Sequence, residues 1–350
     1  MRAKSGKTAS RKQEHVDFAV AKDVAFRLKT SGFDRWEFVH NALPELDYSE
    51  IDCSVSFLGK TLSSPFIISS MTGGYREAIA INRQLAEVCQ EKKLAMGVGS
   101  QRQAMEDTRF HRSYTIVREV AKDIPIIGNI GAAEIAHLED ASSIIRLAEL
   151  IDANAFAVHL NPLQELLQPE GSPDFKGVLT GIEKLVRQLK IPIIVKEVGA
   201  GISASVARRL LEVGVSIIDV AGAGGTSWAG VEILRRSRST KNDFAGNFWD
   251  WGIPTVDAVR QVCSLKREHP SLVVIASGGV RHGLDVAKAI AFGADLGASA
   301  RPMLQALKAG GTKRLIGLIE NIEMELKGAM FLTGSRTLRD LQQQQLLLAS

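Results

Sequence analysis

Eight short apolar runs, each followed by a polar or glycine-rich stretch, constrain this chain more than any other feature. They occupy residues 65–69, 94–98, 124–128, 155–159, 191–196, 215–220, 272–276 and 294–298. Runs of this kind, without polar residues at every second position, belong to strands buried on both faces, as in a parallel sheet clothed by helices. Helix-period patterns such as 203–212 and 284–292 fall between them. Eight such units are the number that closes a barrel. The expected fold is therefore α/β, a (β/α)8 TIM barrel with an N-terminal basic arm and a C-terminal helical extension. A doubly wound open sheet is the competing arrangement. The expected divisions are 1–60 for the arm and cap, 61–310 for the barrel and 311–350 for the extension.

Composition narrows the function classes. The chain has 350 residues, 45% of them apolar and 23% charged, enough for one large core. Its net charge of +4 is concentrated at the start, where Arg2, Lys4, Lys7, Arg11 and Lys12 face only Glu14. The remaining 38 basic and 38 acidic residues balance, which argues against a nucleic-acid-binding face. The basic start reads either as a flexible tail or as an anion-gripping arm centred on 11–15, and it lacks the apolar face of a transit helix. No apolar run reaches the ~18 residues of a membrane span. Cys53, Cys89 and Cys263 form no CxxC pair, so no disulfide framework, zinc site or iron–sulfur site is indicated. A cytoplasmic protein with no membrane or nucleic-acid partner is expected.

In barrels of this kind chemistry sits on the loops that leave the C-terminal ends of the strands. The first strand runs into Ser70-Met71-Thr72-Gly73-Gly74 and the second into Gly99-Ser100-Gln101-Arg102, while the third is expected to end in Asn129. The fourth carries His159-Leu160-Asn161-Pro162-Leu163-Gln164-Glu165. His159 and Asn161 are two apart and share a side of the strand. Pro162 cannot donate to a ladder and is expected to end it, leaving Gln164 and Glu165 in the loop beyond. These polar groups form either a site for a metal-bound ligand or a solvated loop with a satisfied histidine. The fifth strand ends in Lys196-Glu197. Lys196 shares a face with Ile194, so it points into the barrel mouth, unless it turns outward or pairs with Glu197.

The sixth strand runs into residues 221–228, the seventh into Ser277-Gly278-Gly279-Val280-Arg281 and the eighth into Ala300-Arg301-Pro302. The last two loops are where barrels commonly hold a phosphate, and two glycines let backbone approach it closely. A phosphate cradle, a ring-facing Lys196, Asn129 and small residues at the mouth together indicate flavin mononucleotide (FMN). No GxGxxG follows the first strand, so no Rossmann site is indicated. The irregular 239–255 segment, rich in Trp, Gly and Asn, reads as an active-site lid or a subunit contact, and the glutamine-rich 342–345 as peripheral.

These motifs, with Arg11-Lys12-Gln13-Glu14-His15, Val195-Lys196-Glu197-Val198-Gly199 and Trp249-Asp250-Trp251-Gly252, run in order over most of the chain. Together they resemble those of the type 2 isopentenyl-diphosphate isomerases, which are FMN-dependent barrels. The 159–165 heptapeptide is specific to that family, whereas the glycine loops are shared with many FMN barrels. The resemblance implies interconversion of isopentenyl and dimethylallyl diphosphate by proton addition and removal at reduced FMN, with Mg2+, and with NADPH as reductant but no net redox change. It implies that Arg11, Lys12, Ser100, Gln101, Arg102 and Gln164 bind the diphosphate substrate, and that Glu165 ligates Mg2+. Met71, Thr72, Gly73, Ser100, Asn129, Lys196, Thr226, Gly279, Arg281, Ala300 and Arg301 would bind FMN. Gln164, Lys196 and His159 would form the catalytic set, and a homo-oligomer, tetramer or octamer, is implied.

The rival readings are a 2-hydroxy-acid oxidase, a glutamate-synthase-like amidotransferase and a catalytically silent phosphate-ligand protein. The oxidase needs a catalytic histidine near the seventh strand, where His282 precedes a helix. The synthase needs clustered cysteines, which are absent. An inosine-monophosphate dehydrogenase needs a cysteine in the loop after the sixth strand, and 222–228 contains none.

Overall fold

The computed structural model describes residues 12–18, 20–235 and 244–349. Eight parallel strands close into a barrel in sequence order: β1 (Phe66–Ile68), β2 (Ala95–Gly97), β3 (Ile126–Gly131), β4 (Ala155–Leu160), β5 (Ile193–Glu197), β6 (Ile217–Asp219), β7 (Val273–Ala276) and β8 (Leu296–Ser299). β8 pairs with β1 through Gly297↔Phe66, which completes the ring and excludes the open sheet. One strand boundary differs usefully from expectation. β3 continues beyond Asn129 to Gly131, because Ile130 packs outward into the core while the ladder to β4 runs on through Gly131↔His159.

Side chains alternate between two cores. One set, including Ile68, Met96, Phe156, Val158, Val195, Ile218 and Val274, points outward and packs beneath the surrounding helices. The other, Ile67, Ala95, Ile127, Ala155, Ala157, Ile194, Ile217, Ile275, Leu296 and Ala298, fills the barrel interior. A hairpin, Val55–Phe57 paired with Lys60–Leu62, joins this interior set through Phe57 and Leu62 and plugs the barrel. The plug makes the barrel a packed solid rather than a pore.

The helix after β8, Arg301–Thr333, loses helical geometry at Gly310 and Gly311. Gly311 has φ +65°, which a side chain tolerates poorly, so the pair turns the barrel's last helix into the C-terminal extension. The extension is not helical throughout, however. Gly334 closes the helix in the left-handed conformation, and the chain ends in the strand Leu346–Leu348. This strand pairs antiparallel with Trp36–Phe38, so the N-terminal cap and the C-terminal extension form one small sheet.

Phe156 is fully buried on the outer face of β4, and a Cβ placed on Gly128 would sit 2.5 Å from its ring. Phe156→Ala is expected to cost about 3–5 kcal/mol, read as a lower urea midpoint with an unchanged slope.

Candidate active site

The interior alternation that fills the barrel with Ile127, Ala157, Ile194, Ile217 and Ile275 sets what comes two residues later on each strand. Those positions are Asn129, His159, Lys196, Asp219 and Ser277, all polar. They form a layer across five adjacent strands, on top of the apolar filling and below the mouth. His159 Nδ1 lies 2.9 Å from Asn129 Oδ1, and Asn129 Nδ2 donates to Val98 O. The Asn129 amide thus presents oxygen, so the imidazole donates from Nδ1 and leaves Nε2 as an acceptor. The β-ladder sets His159 beside Lys196, and Lys196 beside Asp219. Ser277 Oγ donates to Asp219 Oδ1 at 2.6 Å. Lys196 Nζ donates to the Glu197 carbonyl, whereas the Glu197 carboxylate turns away and accepts the backbone N–H groups of Val198, Gly199 and Ala200.

Burial pushes the Lys196 ammonium down from its ordinary value, and the carboxylates of Asp219 and Glu197 oppose that. The His159 imidazole is pushed down to about 3 by burial, then by the charges of Lys196 and Lys12.

Above this layer opens a cavity of about 620 Å3. Every residue expected to hold FMN lies on its wall. On one side two glycine loops touch backbone to backbone. Gly278 and Gly279 have φ of +98° and +73°, and a Cβ on Gly279 would meet Gly224 O at 2.7 Å. Side chains there would collide with the backbone of the facing loop and force the two apart. Arg281 and Arg301 border it, and the helix beginning at Arg301 points its positive end toward it. An anionic phosphate fits this donor set.

The opposite side is built by the arm and the 159–165 segment. Gln164 and Glu165 sit not in a loop but on a short helix, Pro162–Leu167. Pro162 is preset for the first helical turn, and Asn161 O accepts the Glu165 N–H at 2.9 Å. That turn aims both side chains at the cavity. Gln164 Nε2 donates to Glu232 Oε1, and His15 Nε2 lies 2.9 Å from the same oxygen. Burial alone would raise the Glu232 carboxyl, but His15, Arg235 and Gln164 hold it below its usual range. Glu165 accepts from Asn161 Nδ2 and from Ser172 N. Asn161 Oδ1 is buried on this wall without a hydrogen-bond partner, an acceptor left for a bound ligand.

Among the described residues no group of three or more His, Cys, Asp or Glu could enclose a metal. Two carboxylates line the cavity, Glu134 and Glu165. Glu134 is paired with Arg102, whereas Glu165 suits a hard cation that takes its remaining ligands from water and a diphosphate.

Lys12 Nζ donates to Ser100 O at 2.6 Å and lies 3.0 Å from Tyr114 Oη, which seats the arm on the β2 loop. Arg102 faces the same space, paired with Glu134 at 2.9 Å. Gln101 does not. Its carboxamide is fully buried, donating to Leu147 O and accepting from Asn129 N, so it braces β3 instead of reaching the cavity. Arg11 lies outside the described residues. The described part of the 239–255 segment grips the arm. Trp249 Nε1 donates to Ala25 O, Arg27 stacks on the Trp249 ring at 3.6 Å, and Asp250 accepts the N–H groups of Arg27 and Leu28.

Sequence reading missed His15, Glu134, Glu232 and Asp219 as site residues. The first carries a signal, since Lys12 and His15 are one helical turn apart and share a face.

Because His159 is neutral when folded but titrates near 6.5 when unfolded, the unfolded state takes up the extra proton below pH 6.5. Stability therefore falls from about pH 6.5 toward 3, by at most about 1.4 kcal/mol per pH unit from this group. Urea midpoints of His159→Gln should decline less steeply than those of the parent between pH 6.5 and 4.5.

The FMN-dependent dehydrogenase family matches residues 5–118 and 162–348. The isopentenyl-diphosphate delta-isomerase of Chlorobaculum parvum is 47% identical over 339 residues, covering 94% of both chains. That of Pseudescherichia vulneris is 44% identical over 340 residues, covering 97% of each. Among solved structures, a lactate oxidase of Pediococcus acidilactici superposes with TM-score 0.69 at 16% identity, over 99% of this chain and 94% of its own. A mandelate oxidase variant carrying an FMN adduct superposes with TM-score 0.65 at 16% identity, over 99% and 100%. The oxidases share the fold. The sequence-level relatives are the isomerases, and the chain belongs to the type 2 isopentenyl-diphosphate delta-isomerases of the FMN-dependent dehydrogenase family.

Proposed function

We propose that the protein interconverts isopentenyl and dimethylallyl diphosphate at bound, reduced FMN, with Mg2+ shared between Glu165 and the substrate diphosphate. NADPH serves to reduce the flavin and is not consumed at each turnover. A homo-oligomer in the cytoplasm accompanies this reading, by analogy with the family. The observation that carries it is the cavity itself, with a phosphate cradle at one side, a buried lysine beneath, and at the other Glu232 hydrogen-bonded to Gln164 and within ion-pair distance of His15.

Shifting a double bond adds a proton to one carbon and removes one from another, with no net oxidation. The bound cofactor supplies an electron-rich ring able to exchange a proton with an alkene that is otherwise a poor base. The chain's residues do the rest. Lys12 and Arg102 hold the anionic end of the substrate by charge, and Glu165 fixes the cation that neutralises it. Lys196 stands below as a fixed positive charge, where its field acts in a site shielded from water. Neutral His159 presents Nε2 without adding a second positive charge beside Lys196. Gln164 donates to Glu232 Oε1 and His15 lies beside the same oxygen, so a carboxylate stands directly behind the two polar side chains at the cavity edge. His282, the histidine an oxidase reading needs, is the N-cap of the helix Gly283–Ala291, its backbone N–H held by Asp285.

Protein loaded with FMN and Mg2+ and reduced anaerobically with dithionite should convert isopentenyl to dimethylallyl diphosphate. Well-folded, flavin-loaded protein that forms none overturns the assignment, and stoichiometric NADPH consumption overturns the proton-transfer route. Lys196→Met should lower kcat by on the order of 10²–10³ in the same assay. Glu165→Gln should raise the Mg2+ concentration for half-maximal activity at least tenfold, measured at fixed substrate.

A further inference from the structure

Of the five polar residues capping the barrel filling, Asp219 is the one that does not line the cavity, and no part of the reaction above uses it. It is 4% exposed and, unlike its neighbours Lys196 and Ser277, does not reach the cavity wall. It stands between them. Lys196 is its ladder neighbour on β5, and Ile194 and Ile217, two residues earlier on each strand, both point into the barrel. The two side chains therefore extend side by side into the same interior layer. On the other flank Ser277 Oγ donates to Asp219 Oδ1 at 2.6 Å, and from above Ala221 N donates to the same oxygen at 3.2 Å.

A buried carboxylate so held is costly unless it serves a buried cation, because neither charge is stable alone in such a place. The Lys196 ammonium has one hydrogen bond of its own, to the neutral Glu197 carbonyl. The Glu197 carboxylate is spent on three backbone N–H groups of its own loop.

We infer that Asp219 is a positioning residue, which keeps Lys196 protonated and aimed upward at the cofactor and so sets how strongly the site prefers reduced flavin. The inference rests on the flavin reading above. Asp219 touches neither cofactor nor substrate, and Ser277 orients it in turn.

The sign of one measurement separates this role from its alternatives. Asp219→Asn removes a negative charge. If the aspartate were only a nearby charge, its loss would leave a bare Lys196 cation, favour the anionic reduced flavin and raise the reduction potential. If it holds Lys196 in its charged form, its loss costs the nearer positive charge and the potential falls. In anaerobic reductive titrations of the FMN-loaded protein, Asp219→Asn should bind reduced relative to oxidised flavin about tenfold less well. That corresponds to a fall of about 30 mV for a two-electron couple. Lys196→Met should fall likewise, and the double variant should fall no further than Lys196→Met alone.

A rise, no change, or an additive double variant overturns the inference. If Asp219→Asn does not fold, Ser277→Ala decides, since it removes only the hydroxyl that steadies the carboxylate. A fall of the same sign supports the role, and an unchanged or raised potential overturns it. Unmodified protein that binds no FMN defeats the flavin reading itself, and is seen before any variant is compared.

Discussion

Everything at the mouth of this barrel depends on a two-residue period. Interior positions on five neighbouring strands are apolar at one level and polar at the next, so the filling ends abruptly and a hydrogen-bonded layer begins. The filling is continued below by Phe57 and Leu62 of the Val55–Leu62 hairpin, which pack against it. A lysine placed on such a floor is short of solvent, and its neighbours have to supply what water would have supplied. The layer is therefore not a set of independent polar residues. Asn129 fixes the tautomer of His159, His159 stays neutral beside Lys196, and Asp219 balances the charge.

The fold was legible because burial on both faces writes itself as unbroken apolar runs, and eight of them admit few closures. The cavity wall was legible wherever a lining residue closes or shortly follows such a run, as with Ser100, Lys196 and Gly279. What stayed hidden has physical reasons. A six-residue helix is too short to show a period, so Gln164 and Glu165 read as a loop. Gln101 follows a strand like its neighbours, and only the packed structure shows its carboxamide turned down to Leu147. Asp219 sits inside an apolar run, and its partner Ser277 is 58 residues away, brought close by barrel closure. Glu232 meets Gln164 across 68 residues for the same reason.

The arm is where the barrel borrows from outside its own repeat. Lys12 and His15 reach the cavity from a segment that precedes the first barrel strand, and residues 24–31 are pinned along the β6 loop. Ser227 N donates to Val24 O, Phe26 N to Gly225 O, and Val256 N to Ser31 O. The first two of those bonds use the backbone of the glycine loop after β6. One stretch of chain thus both covers the loops and carries two polar groups to the opposite wall.

The pairing of Trp36–Phe38 with Leu346–Leu348 ties this arrangement to the order in which the chain is made. Among the described residues, a strand made before the barrel pairs with a strand made after it. The barrel's own pairings are between sequence neighbours except for the final closure, so they can form progressively, whereas the cap must wait for the segment after the barrel. Completion of the small sheet is thereby a late event: until the segment after the barrel is in place, Trp36–Phe38 presents an unpaired edge beside the arm.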